Sequence, residues 1–215
     1  NNYAILLAKH GRMTDALRHY DIAKETYTKA PPSLIADPEF EIKCNYDVTL
    51  ITLNIASIYS KKGDLDRALQ CYEDGVKGLE HYEDEMAKIQ EMNGSPDPAP
   101  TKGSSHKHLV AALGRIGSIK MKKGDYEGAL EAYMMLIDEV HDDSPLTSHV
   151  EKAKAHIKCA TIYRKRDANQ HATAVSHLRE ALRMYKALYD PGHKDTTAIA
   201  TTLKQWLAED KANAS

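Results

Sequence analysis

Long apolar runs are missing from this chain. The longest are six residues, as in Ala132 to Ile137, far short of the roughly 20 that a membrane-spanning helix requires, so no membrane insertion is expected. Aromatic residues other than tyrosine are scarce: one tryptophan and one phenylalanine stand beside twelve tyrosines. Only three cysteines occur, Cys44, Cys71 and Cys159, and none forms a C-x-x-C pair. Isolated thiols in odd number argue against a disulfide framework and for a reducing, intracellular (cytoplasmic) setting. Neither sign of charge is in large excess, since 29 Lys+Arg face 31 Asp+Glu for a net charge of -2. Whole-molecule attraction to nucleic acid or to an anionic membrane is thereby excluded, and recognition by charge must come from a local patch. The sequence motifs of phosphate cradles, nucleophile elbows, dinucleotide sites and zinc proteases are absent, so neither an enzyme nor a cofactor is expected. No charged stretch followed by an apolar one opens the chain, so no secretory signal is expected. Asn1 falls inside what reads as a first helix, and we expect the sequence to be a fragment of a longer protein.

What the chain does contain is an internal repeat. Gly11, Ala16 and Tyr20 recur as Gly63, Ala68 and Tyr72 and again as Gly124, Ala129 and Tyr133, with identical internal spacing. Basic residues precede each glycine: Lys9-His10, Lys61-Lys62 and Lys122-Lys123. Upstream, Ile55-Ala56-Ser57-Ile58 parallels Ile116-Gly117-Ser118-Ile119, and Cys159-Ala160-Thr161-Ile162 keeps the same character. Apolar residues recur at helical spacing on both sides of the glycine, as in Leu50, Leu53, Ile55, Ile58 and Tyr59 before it and Leu65, Ala68, Leu69, Tyr72 and Val76 after it. Glycine ends the first helix in a left-handed conformation at little cost, and Asp64 or Asp125 can cap the next. Ala16, Ala68 and Ala129 are small where the two helices must approach, and the tyrosines fill the space toward the next helix. The unit is a helical hairpin. A fourth copy pairs Ile162-Tyr163 with Ala174-Val175, Leu178 and Ala181, with Asp167 to His171 in place of the glycine turn. Thr196 to Leu207 then places Ile199, Ala200, Leu203, Trp206 and Leu207 on one face, as a capping helix must.

Other residues invite chemistry and read more simply. His106-Lys107-His108 has no carboxylate or cysteine at ligand spacing and reads as a solvated helix start rather than a metal site. The three cysteines read as small buried hydrophobes, with Cys159 at a packing position. Tyr20, Tyr59, Tyr72, Tyr133, Tyr163 and Tyr185 fall on repeat packing positions. Met92 to Ser105 is rich in Pro, Gly and Ser and reads as a flexible loop.

The glycine-alanine-tyrosine grammar resembles the tetratricopeptide repeat over nearly the whole chain. The repeating alanines here stand farther apart than the usual period of about 34 residues. In its longer repeats the chain is similar to kinesin-light-chain-like members of that family, through Ala181-Leu182-Arg183-Met184-Tyr185, Leu188 to His193, Asp195 to Leu203, and the helix Thr49 to Ala56. The resemblance implies an all-α, right-handed solenoid forming one domain over 1–215. Its hairpins are expected at roughly 1–30, 45–90, 106–141 and 146–189, with a loop at 92–105 and a capping helix at 194–209.

The resemblance also implies that the first helix of each hairpin lines a concave groove. Mapped onto this sequence, that groove exposes Asn54, Ser57 and Lys61, then Arg115, Ser118 and Lys122, then Lys158, Thr161, Arg164 and Lys165, with Lys9 at its entrance. Acidic residues are nearly absent from these faces, whereas second helices carry Glu73, Asp74, Glu80, Glu83, Asp84 and Glu85. Asparagine can clamp an extended backbone while Lys and Arg pair with carboxylates, so the expected function is non-enzymatic binding of an acidic peptide from a protein partner. The kinesin-light-chain resemblance adds short cargo peptides with an aromatic residue flanked by acids. The chaperone clamp found in other relatives would need Asn and Lys where this chain has Ile5 and Ala111. A competing reading assigns Lys9, Lys61, Lys122 and Lys165 to favourable last-turn positions against the helix dipole, though Arg115 and Lys158 lie mid-helix and gain nothing there. No aromatic platform interleaves with the charges, so RNA is not the expected ligand. The alternative function is structural: self-association through an apolar end near Tyr3, Leu6 and Leu7.

Overall fold

A computed structural model describes residues 2–29, 38–92, 94, 104–166, 168–190 and 192–213. Among the described residues all regular structure is helical. The helices are α1 (Asn2–Lys9), α2 (Met13–Thr28), α3 (Pro38–Lys62), α4 (Leu65–Met92), α5 (Ser104–Lys123), α6 (Tyr126–Glu139), α7 (Leu146–Arg166), α8 (His171–Leu188) and α9 (Lys194–Asn213). Helix α1 packs on α2, α3 on α4 and α7 on α8, with α9 against α8 in the expected capping position. Helix α3 begins at Pro38, ahead of the expected start at 45. Most of the expected 92–105 loop lies outside the described residues.

Three hairpins turn on one local device. Gly11, Gly63 and Gly124 have φ of 78°, 83° and 81°, in the region where a Cβ meets the following carbonyl and glycine does not. The reversal lets the next residue's N–H reach back five residues: Arg12 to the Leu7 carbonyl at 2.9 Å, Asp64 to Tyr59 at 3.0 Å and Asp125 to Lys120 at 3.0 Å. Carbonyls that the helix end would leave unpaired are thereby satisfied. The aspartates then cap the second helix. Asp64 Oδ1 accepts from the Arg67 N–H at 3.2 Å, and Asp125 Oδ1 from the Gly128 N–H at 2.9 Å. In the fourth hairpin a 3-10 turn, Ala168–Gln170, does the work of the glycine.

The chain divides into two compact units, Asn1–Ile116 and Gly117–Ser215. In the first, Ala4, Leu7, Ala16, Tyr20, Ile51 and Ile58 form a core that joins α1, α2 and α3, and Tyr46 of α3 stacks on Tyr82 of α4 at 4.3 Å. In the second, Ala153, Ala160, Leu178, Met184, Tyr185 and Ile199 join α7, α8 and α9, with Leu203 and Trp206 packed against them. Lys152 extends from α7 to donate to the Val140 carbonyl just past α6, at 2.8 Å. The small residue expected at each hairpin crossing is fully buried: Ala16, Ala68, Ala129 and Ala174 all show 0% exposure.

Several side chains differ from the sequence reading. His106 is buried beneath the start of α5 rather than solvated, and His108 is half-buried. Burial, with Lys107 adding to it, pushes the His108 imidazole below its ordinary range. Cys159 is buried as expected, but Cys44 and Cys71 are only half-buried. Leu7 belongs to the core, so the apolar end near α1 consists of Tyr3, Leu6 and Ile22. Leu207 falls off the packed face of α9 and is exposed.

Because Gly124 carries a positive φ with nothing within reach of an added Cβ, Gly124→Ala is a purely backbone perturbation. It should cost about 1–2 kcal/mol and lower the melting temperature by about 2–4 °C per kcal/mol. Gly124→Asn should cost less, since asparagine tolerates the left-handed region. Far-UV circular dichroism melts of the two variants check the order.

Candidate functional site

The side chains expected to line a groove divide into two kinds once placed. In the first unit, Lys61 of α3 and Arg115 of α5 are exposed, while Asn54 and Ser57 are half-buried. The Ser57 hydroxyl is hydrogen-bonded to Tyr72 of α4. Burial pushes the Tyr72 hydroxyl above its ordinary range, against the opposing effects of the nearby Arg115 charge and the Ser57 bond. In the second unit, Lys122, Lys158 and Lys165 are exposed. Ser118 and Tyr133 share a hydrogen bond of 3.1 Å, repeating the Ser57–Tyr72 pair one hairpin on. Thr161 donates back to the Ile157 carbonyl of its own helix at 2.8 Å. The hydroxyls expected to face a ligand are therefore committed within their own hairpins, because a buried tyrosine hydroxyl without a partner would cost more than the serine loses.

Arg164 is committed as well. Its guanidinium donates to Asp210 at 2.5 Å and to Glu209 at 2.7 Å, both on α9, and lies 5.2 Å from the centre of the Trp206 ring. His171 adds a 3.1 Å contact to the same Asp210 carboxylate. The Arg164 side chain is 13% exposed, so this cation fastens the last helix to α7 instead of standing ready for a partner. The guanidinium also holds the Asp210 carboxyl below its usual range. Sequence spacing gave no sign of these partners, which lie more than forty positions away.

What remains is a set of available cations. Lys61, Arg115, Lys122, Lys158 and Lys165 make no ion pair among the described residues. Their surroundings carry few acids: α3 from Val48 onward, all of α5 and α7 from Lys152 onward contain no Asp or Glu. Lys61, Lys122 and Lys165 lie in the last turns of their helices, where the dipole favours a cation. Arg115 and Lys158 do not, and the dipole leaves their placement unexplained.

No group of three or more His, Cys, Asp or Glu side chains among the described residues is arranged to hold a metal ion. No helix among them is long and apolar enough to cross a membrane. Burial pushes the Cys159 thiol up to about 12, so it is not a nucleophile. The sequence reading missed a cavity of about 410 Å³ on the α7/α8 hairpin, lined by His156, Ser176, His177, Arg179, Glu180 and Arg183. Its two histidines sit more than twenty positions apart on different helices, and nothing in the local pattern pairs them.

Comparison with known proteins follows the same segments. A family model described as tetratricopeptide repeat matches residues 53–77 and 110–138, and a second so described matches residues 156–195. The first two segments each contain one glycine turn with its alanine and tyrosine, and the third contains the 3-10 turn of the fourth hairpin. No curated protein matches the chain. Among solved structures, the apo form of RapI is similar at 13% identity and a TM-score of 0.67, over 98% of this chain and 47% of that one. BtubC (BKLC) from P. vanneervenii is similar at 16% identity and a TM-score of 0.59, over 97% of this chain and 71% of that one. The chain thus spans about half the length of RapI. At these identities the likeness establishes a shared helical-repeat fold.

Arg164→Gln should therefore loosen α9 selectively. Amide exchange in Lys194–Asn213 should accelerate several-fold while α3 and α4 stay protected, read by hydrogen-exchange mass spectrometry. Arg115→Gln, whose side chain makes no ion pair among the described residues, should leave α9 unchanged.

Proposed function

From a chain built of tetratricopeptide repeats, we propose a non-enzymatic protein-interaction module that binds an extended, acidic segment of a partner protein along its first-helix faces. One observation carries the reading: exposed Lys61, Arg115, Lys122, Lys158 and Lys165 make no ion pair among the described residues, on helical stretches without an acidic residue. Within one chain, exposed cations gain from nearby carboxylates, and several here have them, as in Lys88–Glu85 and Arg183–Glu180. Leaving Arg115 and Lys158 without such neighbours makes sense where the carboxylates come from elsewhere. In this reading half-buried Asn54 holds the backbone of such a segment. Ser57, Ser118, Thr161 and Arg164 support the hairpins that carry the cations. The kinesin-light-chain-like stretch Leu188 to His193 favours a cargo-adaptor role, with an aromatic residue among the partner's acids. The unpaired Cys44, Cys71 and Cys159 favour a reducing, cytoplasmic setting.

The self-association reading rests on a different feature, the exposed Tyr3, Leu6 and Ile22 at the α1/α2 end. Light scattering that shows a monomer at high concentration removes it.

The binding test is fluorescence anisotropy with two labelled peptides, one acidic around a central tryptophan and one with its charges reversed. Only the acidic peptide should bind, and Arg115→Glu/Lys158→Glu should weaken it by roughly tenfold or more, about 1.4 kcal/mol. Affinity should also fall from low to physiological salt, since exposed pairs are screened over about 10 Å at 0.1 M. Equal binding of both peptides, or binding indifferent to salt and to the double variant, contradicts the proposal.

A further inference from the structure

The cavity on the α7/α8 hairpin surrounds an unusual contact. His156 of α7 is 8% exposed, and its Nδ1 lies 2.9 Å from Nδ1 of the half-buried His177 of α8. The two ring centres are 5.1 Å apart, and Tyr163 stacks on His177 at 5.5 Å with 19° between the ring planes. A neutral imidazole carries one N–H and one bare nitrogen. Two facing Nδ1 atoms therefore bond only when one ring bears its proton on Nδ1 and the other on Nε2. One proton lies between the helices.

Added protons act on this contact in two steps. The first goes to Nε2 of the donor ring, keeps the hydrogen bond and places a charge in a confined site. The second has only the acceptor Nδ1 left, so two N–H groups then face each other and the bond is lost. Around His156 the neighbouring charges act in both directions. Lys152 of α7 and Arg183 of α8 act against charge on His156, and Glu180 of α8 acts for it. Glu180 is itself engaged by Arg183 at 2.6 Å, and Asp142, ahead of α7, also acts on Arg183. Arg179 and Ser176 complete the lining.

We propose that His156 and His177 form an acid-operated latch on the α7/α8 hairpin, closed while one proton is shared between their facing nitrogens and released when both rings become charged. The direction follows from burial. Burial first, then the neighbouring His177, lowers the His156 imidazole to about 4, and burial lowers His177 as well. An opened hairpin returns its histidines to about 6.5 and so binds protons more readily than the closed one. The latch is fully effective above about pH 6.5 and weakens as the pH falls toward 4. For His156 alone, opening should become roughly 20-fold more favourable between pH 7 and pH 5.

Hydrogen exchange on the full chain at about pH 7 and about pH 5 tests the latch, after correction for the intrinsic pH dependence of exchange. Protection of α7 and α8 should fall roughly 20-fold relative to the α3/α4 hairpin in the wild type. His156→Gln/His177→Gln keeps an amide hydrogen bond without a titrating group, and should lose less than about twofold. Equal protection at both pH values, or an equal loss in the variant, overturns the proposal. Should the variant fail to fold, the ring chemical shifts of the wild type decide. The His156 imidazole should still be neutral at about pH 5.5, and a charged His156 ring at that pH refutes the latch.

Discussion

Two helices of a hairpin bury a continuous face only if their backbones come close where they cross. In this chain that closeness rests on a methyl-sized side chain in each hairpin. Ala16, Ala68, Ala129 and Ala174 are all fully buried, and each lies on the second helix of its hairpin. A larger side chain would force the helices apart or push neighbours off their rotamers, at about 1–3 kcal/mol. The glycine turns serve the same end: a left-handed residue at Gly11, Gly63 and Gly124 reverses the chain quickly enough to bring the alanine against the first helix.

Close packing has a polar consequence. The tyrosine one turn beyond the alanine is buried with it, and its hydroxyl must be paired inside. Ser57 and Ser118 on the first helices supply those partners in the second and third hairpins. The first hairpin has Ile5 at that position, and the fourth has Thr161, whose hydroxyl turns back on its own helix. Most of the small polar groups on the first helices are thus spent on the hairpins, and the longer basic side chains are left reaching into solvent. One of the first-helix cations, Arg164, is taken by Glu209 and Asp210 of α9, so helix-end closure and surface charge draw on the same residue type.

The repeat could be read from the sequence because its parts are local. A glycine, an alanine five positions on and a tyrosine four beyond that describe one turn and one crossing, and three copies leave little ambiguity. The capping helix was legible through the periodic face of Ile199, Leu203 and Trp206, although Leu207 falls outside it. What escaped depended on contacts between distant positions. Arg164 has the same local surroundings as a solvent-facing cation, and only the return of α9 reveals its partners. His106 sits in a polar stretch that reads as exposed, yet the packing above it leaves it buried. His156 and His177 meet because two helices cross at one particular register, which residue type alone does not encode. Lys61, Arg115, Lys122 and Lys158 were legible as exposed basic residues, whereas the pairing of Ser57 and Ser118 with tyrosine was not.

The central claim is that acidic partners meet the first helices through these available cations. Backbone chemical-shift mapping on the isotope-labelled chain, titrated with an acidic tryptophan-containing peptide, tests it most directly. The account predicts that the largest shifts cluster near Lys61, Arg115, Lys122, Lys158 and Lys165, with α4 and α6 little affected. Shifts concentrated on α4 and α6, or around Tyr3, Leu6 and Ile22, would contradict it.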